Sequence, residues 1–154
     1  MGRSLSIPKN TAPVTTTITN SDIERKIENA TEGLSSGCFN LLYYRVLPAN
    51  KENTLIICDY MSSLKSEINS SDANRRNNII LLCTFSASYN NSKSFRETKR
   101  EDIISFLNSF RKIESVDPLH KWIGTYNLYR IQSMRFFKWY LSRTEESEGY
   151  VSRV

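Results

Sequence analysis

With His120 as its single histidine, the chain cannot assemble a metal set from several imidazoles, nor a nucleophile and base that need a second one. Its cysteines, Cys38, Cys58 and Cys83, lie far apart without a C-x-x-C spacing, which excludes a zinc knuckle and a disulfide framework; they read as reduced core thiols. No run approaches the ~18 consecutive apolar residues of a membrane span, and Met1–Asn10 lacks the apolar stretch of a secretory signal. A cytoplasmic protein without a membrane partner is therefore expected. A glycine-rich phosphate loop is also missing, and no metal or cofactor is anticipated. Glu97, Glu101 and Asp102 belong to the first turn of a helix, where carboxylates complement the dipole instead of forming an acid/base pair. Tyr150 has no partnered base around it and does not suggest a covalent nucleophile.

What the chain does have is a local excess of positive charge. Residues 1–49 carry five Lys/Arg against four Asp/Glu, residues 50–92 four against four, residues 93–143 eleven against five, and residues 144–154 one against three. Most of the net charge of +5 therefore originates in one segment. Clustered cations displace condensed counterions from a phosphate backbone, so a polyanion is the natural partner. A solvated basic face on an unrelated domain is the competing account.

Hydrophobic periodicity predicts a series of helices from Lys51 onward, and the chain shows no strand alternation or fixed-period repeat. Residues 1–49 are rich in Thr, Ser, Asn and Pro and read as a disordered or loosely helical segment, with Met1–Asn20 disordered. Ser21-Asp22-Ile23-Glu24 has the form of a capping box before a short helix that ends near Gly33 and Gly37. The run from Phe39 to Val46 is equally compatible with a strand or a helical turn. Ile57, Met61, Leu64 and Ile68 mark one face of a helix beginning at Lys51, and Ser71 or Asp72 caps a second over about residues 73–89, ended by Asn90-Asn91-Ser92. Thr98-Lys99-Arg100-Glu101 is a capping box for a third, over 99–111. Asp117-Pro118 starts a short helix, Gly124-Thr125 interrupts it, and a long helix follows from Tyr126 to about Leu141. Because that helix is apolar on several sides, it is expected to be central. The core should belong to the chain after Leu55, within a domain at 50–141, and 142–154 should be a loose polar tail. The fold class is all-α: a four-helix bundle.

Two groups of residues are candidates for contact with an anion. The last helix interleaves Arg130, Arg135, Lys138 and Arg143 with Tyr126, Tyr129, Phe136, Phe137, Trp139 and Tyr140; the rings are expected to build core. Arg135 and Lys138 lie on neighbouring sides while Arg130 points elsewhere, so the three should not reach one phosphate strand together. Asn74, Arg75, Arg76, Asn77 and Asn78 gather donors at a helix N-terminus, where free N–H groups favour anions. Arg75 and Arg76 point to different sides, so at most one is expected to be aimed into a groove while its neighbour flanks the backbone. His120 either packs beside Trp122 or faces water.

Taken together, Asn50–Asp72, the motif TKREDIISFLNSF and the long DPLHKWIGTYNLYRIQSMRFFKWYL resemble the N-terminal core-binding domain of tyrosine recombinases, in particular archaeal phage-integrase-type proteins. The resemblance covers about Asn50 to Leu141 and includes Phe136–Trp139 and the string from His120 to Asn127. It implies a SAM-like four-helix domain that closes over double-stranded DNA, with Asn74, Arg75, Arg76, Asn127, Arg130, Arg135 and Lys138 facing it. In that family a separate C-terminal domain carries the catalytic residues, and SRTEESEGYVSRV departs from the expected continuation, so a non-catalytic binding module is expected. It would be either a truncated gene product or a stand-alone relative. A helical protein-interaction module that pairs with a full-length recombinase or with itself is the alternative.

Overall fold

The computed structural model describes residues 18–89 and 93–147. The expected disorder of the first residues, the terminator Asn90-Asn91-Ser92 and Tyr150 lie, wholly or nearly so, outside that range. Among the described residues every regular element is helical, as the periodicity predicts. The elements are α1 (Asn20–Ala30), α2 (Ser36–Asn40), α3 (Lys51–Ser63), α4 (Asp72–Cys83), α5 (Arg100–Asn108) and α6 (Trp122–Ser147). Helices α2, α3 and α4 each widen into a π-helical extension, over Leu41–Val46, Leu64–Ile68 and Thr84–Tyr89, and a short 3-10 turn covers Phe95–Glu97. The run from Phe39 to Val46 is thus helical, not a strand.

Capping explains most of the boundaries and corrects two of them. Thr19, not Ser21, caps α1: its Oγ1 accepts from Asp22 N at 3.2 Å while Asp22 Oδ2 accepts from Thr19 N at 3.4 Å. Before α5 the cap also moves by one residue, because Thr98 closes the 3-10 turn and turns its hydroxyl back to Ser94 O. Asp102 Oδ2 then accepts from Lys99 N at 2.9 Å. Ser71 caps α4 by accepting from Asn74 N at 3.1 Å, as expected. Asn69 sits in the left-handed region at φ 56° and ends the extension of α3, a conformation that Asn adopts more readily than most residues.

The expected break at Gly124-Thr125 is absent, and so is a helix at Pro118. Instead the carboxylate of Asp117 reaches forward five residues and accepts from Trp122 N at 2.8 Å, which sets the start of α6. His120 takes φ 55° in the intervening turn and faces water. Helix α6 then runs through Ser142 to Ser147, so the first part of the expected tail is helical.

Residues 20–46 contribute fully to the core, which corrects the expectation that it begins after Leu55. Ile23, Ile27, Ala30, Cys38, Leu42 and Val46 are buried together with Ile57, Met61, Ile79, Leu82, Phe106 and Phe136. Even a Thr/Ser-rich segment can bury one stripe if its few aliphatics recur at helical spacing, as Ile23 and Ile27 do. Rings join the later elements: Phe95 lies 4.9 Å from Phe136, Phe85 5.0 Å from Phe106, and Tyr60 5.1 Å from Phe136, between centroids. The three thiols are buried and free.

A polar clamp supports the site side of the bundle. Asn53, fully buried on α3, donates through Nδ2 to Ser86 Oγ at 2.8 Å and Lys93 O at 3.0 Å, and its Oδ1 accepts from Phe95 N at 3.0 Å. One amide thereby fixes the chain at residues 93–95, which places Phe95 against α6.

Candidate nucleic-acid interface

Helix α6 is two-sided. At 100° per residue, Trp122, Tyr126, Tyr129, Gln132, Ser133, Phe136, Phe137, Trp139 and Tyr140 occupy one side, all buried or half-buried. Asn127, Arg130, Ile131, Met134, Arg135, Lys138 and Leu141 occupy the other, and all are exposed. The helix is therefore peripheral, not central. Its apolar residues on several sides divide into a packed ring face and an uncovered aliphatic stripe, with Ile131 41%, Met134 60% and Leu141 58% exposed.

This arrangement brings together cations that the sequence reading had separated. Arg130 and Arg135 bound an arc of about 140°, and Lys138 lies between them. All three line one shallow cleft of about 570 Å³ between α5 and α6, with Ile103, Ile131, Met134, Phe137 and Leu141 in its wall. None of the three forms an ion pair among the described residues. Among the described residues Arg130 donates to the Met134 sulfur, at 3.6 Å. No Asp or Glu occurs in the sequence between Asp117 and Glu145, so α6 offers them no carboxylate over most of its length. That gap was readable in the sequence and is the signal that would have grouped these cations.

Arg135 and Lys138 also border a second cleft on their other flank, of about 590 Å³, between α6, the end of α3 with its extension, and the start of α4. They form a cationic ridge between two clefts. Asn74 stands in the wall of the second, where it donates to Ser70 Oγ and accepts at Oδ1 from Gln132 Nε2 at 3.4 Å. Beside it, Asn78 Nδ2 donates to Asn74 O at 2.8 Å. Tyr60 faces the same cleft; burial raises its phenol above its ordinary value, and the nearby charge of Arg135 works in the opposite direction.

Three of the candidate residues, Arg75, Arg76 and Asn127, do not join this group. Arg75 is withdrawn from the surface: it is 2% exposed, pairs with Asp72 at 3.0 Å, and donates through Nη2 to Ala30 O and Glu32 O. With Nη1 and Nη2 committed inside the fold and Nε buried without a partner among the described residues, this guanidinium is closed off from an external phosphate. Arg76 is exposed, but two positions along α4 from Asn74 it lies about 200° away around the helix and lines neither cleft. Asn127 is exposed on α6, one to two turns before Arg130 and Met134, outside both clefts. Arg143 is bound to Asp59 at 2.7 Å and lies over the Trp139 ring at 5.2 Å.

Among the described residues no group of three or more His, Cys, Asp or Glu side chains could hold a metal ion, and no helix is long and apolar enough to cross a membrane. Comparison with models of protein families, with curated proteins and with solved structures finds no match.

Proposed function

We infer that the chain is a non-catalytic DNA-binding module, of the kind that tyrosine recombinases and integrases use to grip double-stranded DNA. The observation that carries this reading is the ridge of Arg130, Arg135 and Lys138, which is exposed, unpaired among the described residues and grouped on one arc of α6. Cations with no carboxylate partner lose little on meeting a phosphate and gain the free energy of counterion release. Asn74 lines the cleft beside Arg135 and Lys138 as a neutral partner for phosphate or sugar, and Asn127 lies outside the clefts on the same exposed side of α6. The resemblance of residues 50–141 to a core-binding domain supports the same partner and the same helix. Titration of labelled duplex DNA against protein at a series of salt concentrations tests the reading: affinity that falls steeply with salt is expected.

One observation favours a second reading, a module that docks on a full-length recombinase or on a second copy of itself. Ile131, Met134 and Leu141 repeat on the exposed side of α6 at steps of three and seven residues, a spacing typical of a helix-packing seam. A stable oligomer in light scattering, with no duplex DNA binding at low salt, would favour this account over the first.

A further inference from the structure

The cleft between α6, α3 and α4 carries a feature that the phosphate-binding reading leaves unused. Asn78 and Gln132 are each 3% exposed, and their carbonyl oxygens Oδ1 and Oε1 have no hydrogen-bond donor within the protein. Buried amide oxygens are nearly always satisfied, and leaving one without a partner is destabilising. Both residues line the same cleft, and each donates to Asn74 through its amide nitrogen. Both oxygens are closed off from solvent, and the broad terminal torsion of Asn and Gln lets each amide rotate to present its oxygen to the cleft, at the expense of its N–H bond to Asn74.

The rest of the lining completes a recognisable set of demands. Leu64, Ile68 and Trp139 give an apolar wall, the two amides ask for N–H donors, and Arg135 with Lys138 at the rim asks for an anion. A flat heterocycle with an exocyclic amine and a phosphate attached meets all three. We propose that this cleft is a binding site for an amino-bearing nucleobase with its phosphate: Asn78 and Gln132 accept from the amine, and Arg135 and Lys138 hold the phosphate. This deepens the DNA-binding reading and rests on it for the role of the ridge. A base inside a paired duplex cannot enter, so the ligand is either an unpaired base in a strand or a free nucleotide.

The discriminating pair of probes is cytosine against uracil, which share a ring size and differ on one edge: cytosine offers an amine with two N–H donors beside a bare N3, uracil a carbonyl beside a single N3–H, so only cytosine can donate to both oxygens from one amine. Anisotropy titrations use the whole chain with single-stranded oligodeoxycytidine and oligodeoxyuridine of about ten nucleotides, and with a labelled duplex. The cytidine strand is expected to bind about tenfold more tightly than the uridine strand, the effect of one well-placed hydrogen bond to an otherwise unpaired buried acceptor. Competition by free dCMP but not dUMP would extend the site to nucleotides, whereas a preference seen only with strands would assign it to unpaired bases; both support the cleft.

Gln132→Met, close in shape but without the acceptor, should abolish the preference while the thermal midpoint changes little, since removal of an unsatisfied oxygen offsets the lost Nε2 bond to Asn74 Oδ1. Equal binding of the two strands with duplex binding retained overturns this inference and leaves the ridge intact. A preference that survives Gln132→Met in a folded variant also overturns it. Loss of all binding, duplex included, overturns the DNA-binding reading as well.

Discussion

The guanidinium of Arg75 donates to the main-chain oxygen of Ala30 at 3.0 Å, and through the same nitrogen to that of Glu32 at 3.1 Å. These are carbonyls at the C-terminal end of α1, where helix ends leave oxygens without partners. Arg75 thus closes the end of one helix from the first turn of another, and Asp72 holds its other arm. A cation that the family resemblance places against DNA instead joins residues 20–34 to the bundle.

Arg75→Ala should therefore destabilise the fold by about 3 kcal/mol, because buried carbonyls lose their donors. The thermal midpoint should drop by roughly 10 °C. Arg75→Lys should recover only part of the loss, since one ammonium cannot reproduce the fork. Arg76→Ala, at an exposed neighbour, should leave the midpoint within about 2 °C. Calorimetry of the three variants checks this; equal effects at positions 75 and 76 would contradict the placement.

The start of α6 should respond to acid. The hydrogen bond from Trp122 N holds the Asp117 carboxyl below its ordinary value of 3.8, and Asp102 is likewise lowered, first by Lys93 and then by the Lys99 backbone. A carboxylate lowered in the folded state adds stability above its unfolded value, and that stability is lost as pH falls through the folded value. The midpoint should be flat near neutrality and decline from about pH 4.5 downward. Asp117→Asn should have a lower midpoint at pH 7 and a shallower acid decline, as thermal melts across that range would reveal.

Reactivity of the thiols reports on the core that residues 20–46 help to build. Burial pushes the Cys58 thiol up to about 12, and Cys83 is raised further, first by burial and then by its neighbours Cys58 and Cys38. Native protein at pH 8 should react with an aromatic disulfide reagent only as fast as it opens, and all three thiols should react in denaturant. Rapid reaction of even one thiol in the native state would contradict the described packing.

Much of this architecture is legible in the sequence because it rests on local rules. Ser71 caps its helix where expected, and Ile57, Met61, Leu64, Ile79 and Leu82 are buried as their spacing requires; Ile68, the last residue of the expected stripe, is 65% exposed beside the left-handed turn at Asn69. Less local effects escaped. The Asp117 cap acts across five residues, so Pro118 gave a false helix start, and Gly124 lies on the exposed side of α6, where it costs too little to break the helix. The site divides the same way. That the rings of α6 pack inward follows from their area, but the fate of Arg75 depends on carbonyls more than forty positions earlier in the chain. Nothing local distinguishes it from Arg76. The grouping of Arg130, Arg135 and Lys138 was available from the helical wheel once the packed side was known, because an arc of about 140° reads as dispersed only when the buried side is not subtracted.

The most direct test of the phosphate ridge compares the wild-type chain with the triple variant Arg130→Ala, Arg135→Ala, Lys138→Ala, by anisotropy with duplex DNA across a salt series. These side chains are exposed, so the variant should keep the wild-type melting temperature. Three phosphate contacts predict that the slope of log affinity against log salt becomes shallower by roughly 2.7, with a loss of affinity largely independent of DNA sequence. An unchanged slope in a folded variant, or a wild-type chain that does not bind duplex DNA at low salt, would contradict the account.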